Sequence, residues 1–218
     1  MATGRYILYH GNKNYSSWSM RAWLAVRQSG CEFEEVAFHL GSEHVRDRIV
    51  EHSPTGKVPA LCHDGLTIWD SLAITEYLAE RFPQADIWPS EVGDRARARS
   101  VVAEMHSGFE ALRTAMPFNC RRSSPGKGRE PGVAEDIARV SAIWRECRRQ
   151  SSAGRYLFGA YSAADMTYAP VVSRFRTYAV ELDDVSAQYA QALWEHPHIV
   201  EWCEAAAREE WIEPEFDL

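Results

Sequence analysis

The sequence predicts an α/β domain over residues 1–83 and an all-α domain over 94–218, joined by a linker at 84–93. Three observations carry this division. The first eighty residues alternate strand and helix signals in the order β-α-β-α-β-β-α. The stretch Pro83–Gly93 then gathers two prolines with Asp86 and Glu91, a composition that breaks regular structure. From about Asp94 onward the apolar periodicity is helical only. A chain of 218 residues is long enough to bury a core in each part.

The elements follow from local patterns. Tyr6–Tyr9 is a short apolar run rich in aromatic and branched side chains, and reads as a buried strand. Between Ser19 and Gln28, Met20, Trp23 and Leu24 recur at helical spacing, and Gly30 supplies the stop. Phe33–Phe38 is a second strand, and Ser42–Glu51 a polar, exposed helix. Pro59–Cys62 and Leu66–Trp69 flank His63-Asp64-Gly65, where an Asp-Gly pair between apolar runs signals a hairpin. Ser71–Arg81 is a helix with Leu72, Ile74, Thr75 and Leu78 on or near its buried side. In the second part, a long helix is expected from about Arg95 to Met116, where Pro117 ends it. Cys120–Gly132, rich in Arg, Ser, Pro and Gly, is a loop, and Val133–Gln150 a helix. Ser162-Ala-Ala-Asp165 has capping-box spacing. A buried helix over Thr167–Val180 follows, with Pro170 near its first turn. Ser186–Trp194 and Pro197–Arg208 complete the set, and Pro197 suits a first helical position.

Composition removes several classes of function. A net charge of −7 and a pI near 5.6 oppose binding to a phosphate backbone, so no nucleic-acid partner is expected. No segment reaches the roughly 18 apolar residues of a membrane span, and the N-terminus has no secretory pattern. The five cysteines are widely spaced, without C-x-x-C or zinc spacing, so no metal is expected. Free thiols acting as small core residues in a cytoplasmic protein fit them best.

Three segments carry chemistry. Val58-Pro59 enters a strand. A cis bond before the proline would turn the N–H and C=O of Val58 outward to pair with an extended peptide. An ordinary proline at a strand edge is the plainer reading. Asp70-Ser71 opens a helix, where free N–H groups and the Ser71 hydroxyl suit a carboxylate while Asp70 suits an ammonium group. Simple capping would also account for them. Asn14-Tyr15-Ser16-Ser17-Trp18-Ser19-Met20-Arg21 places hydroxyls at another helix start, where they either cap or donate to an anion such as a thiolate. Lowering a thiol pKa of about 8.5 by about two units needs only ~2.7 kcal/mol, within reach of one charged hydrogen bond plus a helix dipole.

Taken together, the three segments resemble the cytosolic glutathione transferases over nearly the whole chain. Ser53-Pro54-Thr55-Gly56-Lys57-Val58-Pro59-Ala60-Leu61 is similar to the family's N-P-x-G-x-V-P-x-L signature. Asp70-Ser71-Leu72-Ala73-Ile74 is similar to its E-S-x-A-I signature with Asp for Glu, and Ser162–Asp165 resembles its helical-domain capping box. The resemblance implies a thioredoxin-like N-terminal domain followed by an all-helical domain that contributes the electrophile pocket, usually in a homodimer. It implies glutathione as substrate or cofactor. Val58, ahead of a cis Pro59, would pair with the cysteinyl part, Asp70 and Ser71 would hold the γ-glutamyl end, and Lys57 would reach the glycine carboxylate. Ser16 or Ser17 would stabilise the thiolate, with Tyr15 a weaker rival.

Ser-Ser-Trp-Ser-Met-Arg resembles the S-S-C-S-W-R segment of the zeta class, which includes maleylacetoacetate isomerases. That match selects Ser16. A theta-like spacing selects Ser17, favoured slightly by its place at the expected helix start. Trp18 replaces the zeta cysteine, so thiol chemistry at that position is not expected.

Two further features concern the second substrate. Arg121, Arg122, Lys127 and Arg129 put four positive charges within nine residues of an acidic protein. They could attract an acidic co-substrate, or form a solvated loop. His106 and Phe109 on the preceding helix border the pocket on the family pattern, or serve packing alone. The expected function is therefore addition of activated glutathione to a small hydrophobic or acidic electrophile. The alternatives are zeta-like cis-trans isomerisation, a glutathione-dependent peroxidase or reductase, and a binding protein of this fold without catalysis.

Overall fold

A computed structural model describes residues 4–150 and 154–214. The described residues form two compact units. One runs to Ile87 and takes up again at Trp202; the other is Trp88–Glu201.

The first unit contains strands β1 (Tyr6–Gly11), β2 (Phe33–Phe38), β3 (Ala60–His63) and β4 (Leu66–Trp69), with helices α1 (Ser17–Ser29), α2 (Val45–Val50) and α3 (Ser71–Arg81). The predicted order of elements is the observed one. The sheet order is β2-β1-β3-β4. β1 and β2 run parallel through the α1 crossover, whereas β3 is antiparallel to both β1 and β4. The β3–β4 turn has Asp64 at φ 48° and Gly65 at φ 87°, the two positive φ values of a tight hairpin.

Alternation along β1 sends side chains to both faces of the sheet. Tyr6 and Leu8 are fully buried, as are Met20, Trp23 and Leu24 of α1 and Ile74 and Leu78 of α3. Tyr9 faces the other way, into a cluster with Phe38, Ala60 and Ile49 of α2. Helices thus cover both faces, and each buried Leu or Ile contributes about 1.5–3 kcal/mol. α2 is shorter than the predicted Ser42–Glu51 helix, because His44 precedes it in a left-handed conformation, φ 56°.

Among the described residues, the second unit is helical apart from isolated bridges at Tyr156–Gly159 and Phe158–Ala160. Its helices are α4 (Val92–Ser107), α5 (Glu110–Ala115), α6 (Val133–Gln150), α7 (Ala163–Thr177) and α8 (Asp184–Trp194). Helix α9 (Pro197–Arg208) leads back into the first unit. Trp144 of α6 is fully buried, with its ring 5.0 Å from Tyr189 of α8 and 5.4 Å from Phe175 of α7.

Two sequence expectations need correction here. The single helix to Met116 is interrupted after Ser107. Phe109 turns left-handed at φ 60°, and a Cβ on Gly108 would come within 2.9 Å of the Glu104 carbonyl oxygen. The helix expected from Thr167 instead begins at Ala163, so Pro170 lies inside it rather than in its first turn.

The Asp165 carboxylate explains that earlier start. It accepts from the Ser162 N–H at 2.9 Å, the Ser162 hydroxyl at 3.1 Å, the Leu157 N–H at 3.1 Å and the Tyr189 hydroxyl at 3.1 Å. Burial pushes its pKa up to about 6, against the pull of those four donors.

The cysteines are free. Only Cys147 is fully a core residue, and burial pushes its thiol up to about 12; the other four are half-buried.

Candidate glutathione-binding site

Four loops leave the same end of the sheet. Gly11 pairs with Phe38, so the loops after β1 and β2 emerge side by side. Tyr9 pairs with Ala60, which brings in Val58-Pro59 just ahead of β3. Ala60 pairs with Trp69, so Asp70-Ser71 follows β4 at that same end. Strand register therefore gathers segments that the sequence holds more than fifty residues apart.

At this end lies a cleft of about 370 Å³. Tyr15, Ser16, Ser17, Trp18, Arg46, Gly56, Lys57, Val58 and Glu213 line it, with Leu40, Val45 and Ile49 as its apolar wall. Tyr15, both candidate serines, Lys57 and Val58 thus come together as expected. Pro59 is buried and does not line the cleft, and the Val58-Pro59 bond is cis. Asp70 and Ser71 do not line the cleft itself and stand at the neighbouring corner.

The two serines have different surroundings. Ser16 is the N-cap of α1. Its hydroxyl accepts from the Ser19 N–H at 3.3 Å and donates to Ser19 Oγ at 2.8 Å, and the residue is 6% exposed. Ser17 is the first helical residue, half-buried and on the cleft wall. Trp18, which stands where the zeta pattern has cysteine, lies 4.6 Å from the buried Arg21 guanidinium, a cation–π contact. Asp70 caps α3 through Leu72 N–H at 2.8 Å, in a positive-φ conformation, φ 74°. Ser71 is buried at the first position of that helix.

Sequence reasoning missed the groups that shape the serine loop. Asn12 is fully buried. Its carbonyl oxygen accepts from the N–H groups of Tyr15 at 3.2 Å and Ser16 at 2.9 Å, and its Oδ1 from Leu40 N–H at 2.7 Å. Two asparagines between a strand and a helix were the available signal, since buried Asn must find partners for both ends of its amide. Arg46 was missed as well, its side chain lying over Gly56 at the cleft wall.

Lys13, in the same loop, reaches Glu35 at 2.7 Å, and its ammonium lies 5.2 Å from the Trp23 ring and 5.4 Å from that of Trp202. Burial raises the Glu35 pKa, but contacts from His10 and Lys13 outweigh it and hold the group down at about 2.

The remaining candidates belong to the second unit. His106 lies half-buried in the last turn of α4, and its carbonyl accepts from Arg113 Nη1 at 3.2 Å. Phe109 is buried at the α4–α5 break. The Arg121 and Arg122 N–H groups both bond Asn119 Oδ1, at 3.0 and 3.1 Å. Their loop is tied down, with Ser124 N–H on the Thr177 carbonyl at 2.7 Å and Thr177 Oγ1 on the Asn119 carbonyl at 3.0 Å.

Residues 12–86 match the family model for the glutathione S-transferase N-terminal domain, and residues 130–205 match that for the C-terminal domain. A curated maleylacetoacetate isomerase of Rattus norvegicus is 30% identical, over 84% of this chain and 83% of the relative. The chain belongs to the glutathione S-transferase family. A glutathione S-transferase 1 of Dianthus caryophyllus is 28% identical over 76% of this chain and 75% of its own. Among solved structures, a glutathione transferase homologue from Burkholderia with bound glutathione superposes with a TM-score of 0.73 at 23% identity, covering 94% of this chain and all of its own. The omega 2S transferase of Trametes versicolor superposes at 0.72 and 20% identity, over 97% of this chain and 100% of its own. These likenesses establish the fold: a thioredoxin-like domain of mixed sheet and helices followed by a helical domain.

Proposed function

We propose that this protein binds glutathione in the cleft of the first unit, ionises its thiol, and adds the thiolate to a small electrophile. The observation that carries this reading is the gathering of Ser17, Val58 and Lys57 around one cleft at the start of α1. In this reading Val58 pairs its backbone with the cysteinyl part, Lys57 faces the glycine carboxylate, and Asp70 and Ser71 hold the γ-glutamyl end. Ser17 is the thiolate donor, because it opens α1 half-buried on the cleft wall, whereas Ser16 is the buried cap of that helix. The α1 N-terminus adds its dipole. Glutathione and the electrophile are the partners, and the protein works as a cytoplasmic homodimer.

The thiolate sulfur forms a new bond to an electrophilic carbon, and a leaving group departs or a proton is taken up. A second reading, cis-trans isomerisation, is favoured by the 30% identity to an isomerase and by a maleylpyruvate isomerase of Ralstonia sp. at 29% over 78% of this chain. There the C–S bond forms, the former double bond rotates, and the bond breaks again. Glutathione is recovered unchanged.

Ultraviolet thiolate absorbance of bound glutathione tests the proposal. Ser17→Ala should raise the pH of thiolate formation by about two units and lower kcat/KM about 100-fold near neutrality. Ser16→Ala should act chiefly on stability, by about 1 kcal/mol through loss of a cap. The reverse pattern would transfer the role to Ser16. No thiolate signal in the wild type would remove the catalytic reading altogether. A panel of aryl halides, maleylacetone-like dienes and peroxides then separates conjugation from isomerisation and reduction.

A further inference from the structure

We infer that Glu209 and Glu213, in the segment after α9, are positioning residues for the serine loop, and that Glu213 sets the thiol-activating geometry through Asn12. The inference rests on the reading that this loop activates glutathione.

The Glu209 carboxylate grips two successive N–H groups of the loop, Lys13 at 2.8 Å and Asn14 at 3.1 Å, one with each oxygen. Glu213 is 5% exposed and lines the cleft. Its Oε1 accepts from Asn12 Nδ2 at 3.0 Å and from Gly41 N–H at 2.9 Å, with His39 Nε2 at 3.1 Å. Trp211 stacks on His39 at 5.2 Å with the two rings nearly parallel, which fixes the segment between the two glutamates.

Asn12 relays this hold to the site. Its side-chain nitrogen is held by Glu213, while its backbone carbonyl orients the Ser16 N–H and so the turn into α1. Ser17 follows directly. A displacement of Asn12 by a few tenths of an ångström moves the helix start on which the sulfur would sit, and such electrostatic stabilisation depends on geometry held before the reaction. Gly41 gives the arrangement its specificity. Its φ is outside the left-handed region, so its backbone tolerates a side chain, but a Cβ there would collide with the Glu213 carboxylate. The absence of a side chain at position 41 makes room for a carboxylate supplied from 172 residues away.

The test compares Glu213→Ala, Glu209→Ala, Gly41→Ala and Glu213→Gln by three measurements. These are amide exchange at Lys13, Asn14 and Ser16 without ligand, the pH at which bound glutathione ionises, and kcat and KM with an aryl halide. Glu213→Ala and Gly41→Ala should each speed exchange at Ser16 about tenfold, raise the ionisation pH by about one unit, and lower kcat about tenfold. Glutathione KM should stay within about threefold, since the residues that grip the peptide are untouched. Glu209→Ala should speed exchange at Lys13 and Asn14. Glu213→Gln, which keeps an oxygen for the same donors, should recover most of kcat.

Wild-type exchange and ionisation in folded Glu213→Ala and Gly41→Ala would overturn the inference. So would a kcat loss that merely tracks the folded fraction seen by circular dichroism. If Glu213→Ala does not fold, Gly41→Ala and Glu209→Ala decide by the same readouts. If the wild type forms no thiolate, the catalytic reading fails, whereas the exchange data still decide whether the carboxylates hold the loop.

Discussion

Single side chains here often have two duties, and substitutions can separate them. Asp70 caps α3 and, on the proposed function, also faces the glutathione ammonium group. Asn at this position keeps an oxygen for the Leu72 N–H and tolerates positive φ, but carries no charge. Asp70→Asn should therefore leave the melting temperature within about 2 °C while raising glutathione KM about tenfold, as steady-state kinetics and calorimetry would show. His196 offers a separate test in pH. Its ring stacks on Tyr161 at 3.7 Å, its Nδ1 accepts from the His198 N–H at 3.3 Å, and burial with the nearby His198 holds it at about 4. The unfolded chain takes up this proton first as pH falls below about 6.5, so the stabilisation is complete above that pH and is lost down through about 4. The Asp165 term has the opposite sign, since its raised pKa favours the folded protein at low pH. His196 is only partly buried, so solvent screening reduces its contribution; removing it should flatten the acid-side loss between pH 7 and 5 by no more than about 1 kcal/mol, read as the difference between wild type and His196→Asn in denaturant melts.

At the scale of elements, Asp165 is the most consequential polar residue in the second unit. Asp165→Ala would leave four buried donors without their acceptor and should destabilise the protein by about 3–5 kcal/mol, measured by urea unfolding. Its i, i+3 spacing from Ser162 made the cap legible in the sequence, because both partners lie within one helical turn. The β-α-β-α-β-β-α order was legible for the same local reason: alternation, a Gly30 stop and an Asp-Gly turn each lie in a few residues. The α4–α5 break was not, since Gly108 and Phe109 interrupt a pattern whose apolar spacing continues through them. Nor was the start of α7, because Pro170 argued for a nearby helix beginning whereas the Asp165 network decided it. At the site, Ser16, Ser17, Lys57 and Val58 could be read as motifs. Glu209 and Glu213 could not, because their partners stand about two hundred residues away and no short-range pattern marks them.

For the whole molecule, charge distribution is the relevant quantity. Acidic residues outnumber basic ones by 31 to 24, yet Arg121–Arg129 forms a concentrated positive segment tied to the end of α7. An anionic electrophile would be repelled by most of the surface and attracted here. Replacing Arg121 and Arg122 with Ala should raise KM for dicarboxylate substrates several-fold and weaken its dependence on salt, while neutral aryl halides respond little. An unchanged dicarboxylate KM would exclude the arginines from substrate attraction.

The first unit is discontinuous in the chain, and this has a consequence for its synthesis. The sheet and its three helices are made within the first 87 residues, but the carboxylates that grip Lys13, Asn14 and Asn12 come from positions 209 and 213. During translation the serine loop therefore waits for the whole helical unit to be made. On the proposed function, the nascent protein would complete the corner that activates the thiol last, as one of the final events of folding, rather than with the domain that displays it.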